Sequence, residues 1–331
     1  MRIAFFSAKK YERSLLDELN PGRGHDIVYF DTLLEPATAH LAAGCPAVSV
    51  FVNDRVDADV LGQLATGGTK LVATRSTGFN QIDLDAAAKH GIKVVRVADY
   101  SPNSVAEFAV GLLLALNRKI PRAYNRTRDG NFELDGLMGF DLVGRTVAVI
   151  GTGRIGTIFG RIMAGFGCNV IGYDAHHSPE FEGFGRYVEA DEISAEADVI
   201  SLHVPLTPQT YHIVNARSLA RVKRGALLVN TSRGGLVDTE AAIEALKSGQ
   251  LGGIAIDVYE QEADLFFKDL SSTVIADDVI QRLVSFPNVI LTGHQAFFTR
   301  EALGTILDTT LMSVSDFAAG RPLLNEVVAP S

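Results

Sequence analysis

The 331-residue chain has only two cysteines, Cys45 and Cys168. Two such thiols support neither a disulfide framework nor a metal cluster, so each reads as a small core residue and no metal site is expected. Basic charge is also short: 30 Lys and Arg stand against 39 Asp and Glu, a net charge of −9 with no basic block. That argues against nucleic acid as a partner. The longest apolar run, residues 108–116, falls well short of a membrane span. The opening stretch Met1-Arg2-Ile3-Ala4-Phe5-Phe6-Ser7 is too short for a signal peptide and reads as a first strand. With no membrane partner indicated, a cytoplasmic location is expected by default. No internal repeat or low-complexity tract is visible. The length and a hydrophobic content of 47% suit two globular domains with substantial cores.

Short apolar runs alternate with stretches of helical spacing. In the first half, residues 2–7, 26–31, 47–52, 71–75 and 93–97 read as buried strands, and 14–19 and 84–90 as helices. A second series follows at 146–150, 169–173, 199–202, 226–230, 253–257 and 289–291. Alternation of this kind predicts α/β architecture with parallel sheets covered by helices on both faces. Between the halves, residues 101–116 predict a helix with Pro102 in its first turn and Ser104 and Glu107 at capping-box spacing. Its near-continuous apolar sequence calls for burial on more than one side, between domains or against another subunit. The helical stretch 301–317 lies outside both series. It either packs back on the first half, making that domain discontinuous, or extends the second.

The most informative motif is Gly151-Thr152-Gly153-Arg154-Ile155-Gly156. It follows the apolar run 146–150 and opens a helix-like stretch, and Asp174 ends the next apolar run. Strand, glycines, helix, strand and acid in this order form a dinucleotide-binding fingerprint, whereas the glycines alone would be compatible with a plain βαβ turn. Gly151 permits the turn, Gly153 lets backbone approach a pyrophosphate at the helix N-terminus, and Gly156 allows close helix–strand packing. Asp174 can accept hydrogen bonds from a ribose diol, and its charge opposes a 2′-phosphate. Since Ala175-His176-His177 and no arginine follow it, NAD is favoured over NADP.

Three reactive side chains follow successive strands of the second series: Arg233, Glu262 and His294. Ligands of open α/β sheets gather beyond the carboxyl ends of strands, so the three can converge there. Arginine can clamp a carboxylate through two hydrogen bonds. Histidine can move a proton to or from a carbinol oxygen, and a neighbouring glutamate can orient it. Taken singly, each has a plain reading as a surface charge or turn residue. It is the NAD motif that gives the trio weight.

With these residues in place, the chain resembles the D-2-hydroxyacid dehydrogenase family, most specifically its bacterial fermentative D-lactate branch. The resemblance runs over nearly the whole length. It includes Phe51-Val52-Asn53-Asp54, Gly78-Phe79-Asn80, Arg122-Ala123-Tyr124-Asn125-Arg126-Thr127-Arg128-Asp129, Asn230-Thr231-Ser232-Arg233-Gly234, Asp257-Val258-Tyr259-Glu260 and Gly293-His294-Gln295-Ala296-Phe297. Asp264-Leu265-Phe266-Phe267, with the long stretch before His294, marks the lactate branch.

The resemblance implies two Rossmann-like and flavodoxin-like parallel-sheet domains with an active-site cleft between them. Residues 1–99 and 299–331 would form the substrate-binding domain and 100–298 the NAD-binding domain, with hinges near Tyr100 and Thr299. It makes Arg233 the substrate clamp, Glu262 the acid paired with histidine, and His294 the general acid/base. Thr77 and Gly78 would hold the substrate carboxylate, with Tyr100 and Phe298 beside the pocket. Gly151, Gly153, Arg154, Ile155, Gly156, Asp174, Val204, Pro205, Thr231, Ser232 and Asp257 would contact NAD, Asp257 through the nicotinamide carboxamide. His203 would line the same cofactor wall without being the catalytic histidine. Several relatives carry tyrosine where this chain has Phe298, a departure that bears on pocket polarity. The implied reaction is reduction of pyruvate to D-lactate with NADH by a homo-oligomer, dimer or tetramer. Another 2-oxoacid reductase is the near alternative, and a nucleotide-binding corepressor-like regulator is the alternative of a different class.

Overall fold

A computed structural model describes residues 1–262 and 265–328. The chain forms two compact units, Met1–Ser101 with Phe298–Ser331, and Pro102–Phe297. Residues 329–331 lie outside the described part.

The first unit is built on β1 (Arg2–Phe5), β2 (Asp26–Tyr29), β3 (Ala47–Val50), β4 (Leu71–Thr74) and β5 (Lys93–Val95). They pair in the order β5-β4-β3-β1-β2, all parallel, and the two-residue strand Glu326–Val327 adds antiparallel to β5. Strand side chains alternate between two cores. Ala4, Val48, Val50 and Val72 face the helices Ala58–Thr66 and Leu84–Lys89. Ile3, Phe5, Ala47, Leu71 and Ala73 face Leu16 of helix Lys10–Leu19 and Leu307, Leu311 and Val314 of helix Arg300–Ala318. The segment that lay outside both strand series therefore packs in the first unit.

The second unit carries β6 (Thr146–Ile150), β7 (Asn169–Tyr173), β8 (Arg186–Tyr187), β9 (Val199–Leu202), β10 (Ala226–Asn230), β11 (Leu251–Ile256) and β12 (Val289–Leu291). The order is β12-β11-β10-β9-β6-β7-β8, parallel throughout. The direction of winding reverses between β6 and β9, and this switch point is where such sheets bind ligands. Here too the strands alternate. Val147, Val149, Val199, Leu227 and Val229 meet the helices Pro102–Asn117 and Arg154–Gly165, while Ala148, Ile150, Ile200, Leu202 and Leu228 meet helix Thr239–Ser248 on the other face.

The sequence-based expectation of parallel α/β architecture holds, with several local corrections. The short strand β8 escaped notice because two residues carry no readable periodicity. Helix Lys10–Leu19 begins four residues before the expected start. Its first turn is polar, but the Glu12 side chain caps Lys9 N at 2.9 Å and is itself buried against Arg75. β1 stops at Phe5 because Ser7 adopts a left-handed φ of 53°, turned so that its hydroxyl donates to Asp54 at 2.6 Å. Helix Pro102–Asn117 starts at the proline itself, so Ser104 is a buried residue inside the first turn and not a cap. This helix is covered by the sheet, where the missing side chain of Gly253 admits Leu116, and by helix Arg154–Gly165. Ala106, Ala109, Val110, Leu113 and Leu116 are thus buried within its own unit.

Candidate active site

The glycine turn sits at the end of β6. Gly151 has φ +96° and no space for a side chain: a Cβ there would lie 2.6 Å from the His203 carbonyl carbon. At Gly156 a Cβ would lie 1.9 Å from the Gly151 carbonyl oxygen. Both glycines are therefore required by close backbone approach. At Gly153 the same position opens onto free space. Helix Arg154–Gly165 has no side-chain cap and no acidic residue in its first turn, leaving a favourable end for an anion. Arg154 is exposed at this end, and Ile155 packs partly into the core behind it.

Asp174 follows β7 and folds back over the turn. Its Oδ2 accepts Thr152 N at 2.7 Å and its Oδ1 accepts His176 N at 3.0 Å. Opposite, Val204 and Pro205 follow β9, and the Val204 carbonyl accepts the Ser232 hydroxyl at 2.6 Å. The Thr231 hydroxyl is buried and has no hydrogen-bond partner among the described residues. An orphaned hydroxyl, an uncapped helix end and open space over Gly153 fit a bound dinucleotide. His203 is bonded through Nε2 to the Ser201 hydroxyl at 2.9 Å, and burial pushes its pKa down to about 3. It is thus neutral and not a proton carrier at ordinary pH.

Arg233, Glu262 and His294 follow β10, β11 and β12 at the carboxyl edge of one sheet. His294 Nδ1 lies 2.8 Å from Glu262 Oε1, and Glu262 Oε2 accepts Tyr259 N at 2.9 Å. Both carboxylate oxygens are thus engaged, which fixes the imidazole while its Nε2 has no partner among the described residues. His294 has a left-handed φ of 55°, and its N–H donates to the Asp257 carbonyl at 2.7 Å.

The Asp257 carboxylate is fully buried and builds the loop that carries His294. It accepts Gln295 N at 2.9 Å, Ala296 N at 2.7 Å and the Thr292 hydroxyl. Burial raises its pKa, against the lowering effect of these three donors and of nearby His294. Motif reading assigned Asp257 to cofactor contact alone and missed this loop role. Its donors lie 35 to 39 residues away, and no local spacing marks them.

Arg233 is exposed. The Asn230 amide bonds the Arg233 carbonyl and Ser232 N, and Arg233 Nη1 donates to the Ser232 carbonyl at 2.7 Å. Phe267, noted in sequence only as part of a branch marker, has its ring 6.0 Å from that of His294. Phe266 is buried beside Tyr259 and Ile280, and Asp264 of the same segment lies outside the described residues.

In the first unit, Thr77 and Gly78 form the turn after β4. Their carbonyls accept Arg96 Nη1 at 3.1 Å and the Ser76 hydroxyl at 2.6 Å. Their own N–H groups have no partner among the described residues and stay available as donors. Tyr100 is partly buried, and Phe298 is 48% exposed with its ring edge-on to Tyr11 at 4.7 Å. A buried ion pair that the sequence reading missed lies at Arg75, two residues before Thr77. Arg75 bonds Glu12 at 2.8 Å, the Ser49 hydroxyl at 3.0 Å and the Phe6 carbonyl at 2.9 Å.

Residues 110–296 match the family model described as D-isomer specific 2-hydroxyacid dehydrogenase, NAD binding domain. The chain is 54% identical to 2-hydroxyacid dehydrogenase homolog 1 of Schizosaccharomyces pombe over 96% of its own length and 97% of that protein. It is 48% identical to D-lactate dehydrogenase of Escherichia coli, covering 99% of this chain and 100% of the other. Among solved structures it is similar to one described as the pyruvate reductase of Chlamydomonas reinhardtii, with a TM-score of 0.95, 42% identity and 98% of both chains covered.

Proposed function

We propose, from the premise that this chain belongs to the D-2-hydroxyacid dehydrogenase family and carries its NAD-binding domain, that it reduces pyruvate to D-lactate. The observation that carries the reading is the His294–Glu262 pair, whose distal imidazole nitrogen has no partner among the described residues, at the same sheet edge as Arg233. The similarity to a D-lactate dehydrogenase and to a pyruvate reductase supports the choice of substrate.

NAD is the cofactor, and in its reduced form it would supply a hydride for C2 of the oxoacid. The glycine turn and the first turn of helix Arg154–Gly165 would hold the pyrophosphate, and Asp174 the adenosine ribose. Val204, Pro205, Thr231 and Ser232 would line the remaining length, and Asp257 is assigned to the carboxamide side of it. Arg233 binds the substrate carboxylate through its planar fork and draws charge from the adjacent carbonyl. Protonated His294 holds one N–H toward Glu262 and gives the other proton, from Nε2, to the carbonyl oxygen as it becomes an alcohol. The N–H groups of Thr77 and Gly78, which have no partner among the described residues, are proposed as donors to a substrate carboxylate. Tyr100 and Phe298 supply bulk that favours a methyl group.

A homo-oligomer, dimer or tetramer, is part of the proposal. It is supported by exposed large apolar side chains concentrated at Ile120, Tyr124, Phe132, Leu134, Met138 and Val143, and light scattering measures it. No helix among the described residues is long and apolar enough to cross a membrane. We place the protein in the cytoplasm, in fermentative metabolism.

The test is kcat/KM with NADH over pyruvate, 2-oxobutyrate, phenylpyruvate, hydroxypyruvate and glyoxylate, with chiral analysis of the product. Pyruvate should lead and give D-lactate, with modest loss on 2-oxobutyrate because one methylene discriminates by about 1–3 kcal/mol. A lead by phenylpyruvate would reassign the substrate, and L-lactate would overturn the stereochemistry. NADH binding without turnover of any oxoacid would favour a nucleotide-binding regulator.

A further inference from the structure

The residues that follow Arg233 are Gly234 and Gly235, two consecutive residues with the widest backbone freedom. Among the described residues, the Arg233 guanidinium bonds only within its own loop, to the Ser232 carbonyl. Its direction therefore depends on how that soft backbone is restrained. The Asn230 amide holds the Arg233 carbonyl and Gly234–Leu236 forms a 3₁₀ turn, and two other loops add to this restraint. On one side the Gly235 carbonyl accepts His212 N at 2.9 Å, and the Leu236 carbonyl accepts Val214 N at 3.0 Å. On the other side Gly234 lies against the loop after β11: a Cβ there would be 2.1 Å from the Tyr259 carbonyl carbon and 2.4 Å from Glu260 N.

The side chains of these two flanking loops join across the glycines. His212 Nε2 lies 2.6 Å from Glu260 Oε1. Glu260 also accepts the Tyr211 hydroxyl at 3.3 Å and the Thr239 hydroxyl at 3.4 Å. His212 holds a left-handed φ of 50°, with its ring stacked on Tyr211 at 3.9 Å. Both partners are about three-quarters buried, with side-chain exposures of 26% and 25%, so the pair is shielded more than a surface ion pair. Glu260 stands two residues before Glu262. One short loop thus presents two carboxylates, each holding a histidine: Glu262 holds His294 and Glu260 holds His212.

We propose that the His212–Glu260 pair is a clasp that sets the placement of Arg233 relative to the Glu262–His294 pair. Neither clasp residue is assigned a contact with substrate, so both are positioning residues. The inference rests on the reading of Arg233 as the substrate clamp. Misplacing a substrate-orienting group by about 1 Å can cost roughly a hundredfold in rate. A clasp that closes over two glycines is a direct means of preventing that.

The test uses the full-length enzyme with pyruvate and NADH. Glu260→Ala should lower kcat/KM for pyruvate by about 10- to 100-fold. NADH affinity by fluorescence titration should stay within about twofold and Tm near the parent value. Glu260→Gln should recover most of the activity, because its amide oxygen can still accept from His212 Nε2–H. In an Arg233→Lys background the effect of Glu260→Ala should shrink to about threefold or less, since both changes act on one interaction. Parental kcat/KM in Glu260→Ala, failure of Glu260→Gln to recover activity, or an undiminished effect in the Arg233→Lys background each overturns the clasp. So does a parallel fall in NADH affinity and Tm, which marks a merely structural pair. Should Glu260→Ala fail to fold, His212→Gln is read by the same criteria. If Arg233→Lys alone is silent, the substrate-clamp reading fails and the clasp falls with it. If Arg233→Lys is impaired while Glu260→Ala is not, the clasp alone fails.

Discussion

Replacing Asp257 by asparagine isolates the role of a carboxylate that never reaches the surface. Oδ1 accepts Gln295 N and the Thr292 hydroxyl, and Oδ2 accepts Ala296 N. An asparagine that keeps its oxygen at the Oδ1 position turns its NH2 toward Ala296 N, donor against donor. One buried N–H is then unsatisfied, at about 1–3 kcal/mol, and two charge-assisted bonds become neutral, at about 1 kcal/mol each. Relief of the burial penalty on the charge offsets part of this, leaving a net loss of about 2 kcal/mol near neutral pH. For a unit of this size that is about 4–8 °C in Tm.

The pH dependence has a definite sign. Burial raises the folded pKa of Asp257 above its ordinary 3.8. The parent therefore gains stability from this group at pH values below the unfolded pKa, and loses it as pH rises through the raised folded value. The asparagine variant does not titrate at this position, so the parent's advantage over Asp257→Asn should be widest in acid and should narrow from about pH 4 upward. Calorimetry of both proteins across that range measures it. Because the same bonds carry His294, kcat/KM for pyruvate should fall by at least about tenfold at pH 7. Parental Tm and parental kcat/KM together, or an advantage that widens with pH, would refute the reasoning.

Three further outcomes are expected. Gly156→Ala would place a methyl group on the Gly151 carbonyl and push helix Arg154–Gly165 off the turn; NADH affinity by titration calorimetry should drop by at least about tenfold, and retained affinity would show that the turn tolerates movement. Arg233→Lys keeps the charge but loses the planar fork; steady-state kinetics should show a loss of about 2–4 kcal/mol in transition-state stabilisation with NADH binding nearly intact. Asp174→Ala should weaken NADH more than NADPH, narrowing the preference in paired kcat/KM measurements. It should also loosen the turn through the lost Thr152 N–H bond, and an unchanged cofactor ratio would remove Asp174 from ribose recognition.

Much of this protein is legible in the sequence because it is local. The spacing of apolar runs marks the parallel strands, since a strand buried on both faces needs continuous apolar residues. Gly156 stands where a Cβ would strike the Gly151 carbonyl five residues before it, so a short stretch of sequence carries that constraint, whereas the close approach at Gly151 is to His203 on another strand end. The order of Arg233, Glu262 and His294 along successive strands placed them at one sheet edge, because parallel strands present like ends to one side.

Tertiary structure decided the rest, and in most cases the partner is distant in sequence. Glu12 is a buried helix residue only because Arg75, 63 residues on, meets it beside β1 and β4. Ser104 lies inside its helix because the backbone turns helical at Pro102, a choice that capping-box spacing alone cannot rank. Asp257 holds the His294 loop through donors more than 30 residues away, and His212 reaches Glu260 across 48. Periodicity and turn chemistry depend on the φ and ψ of neighbouring residues, so sequence records them. Which buried carboxylate meets which donor depends on where separate strands end in space, and only the folded chain settles that.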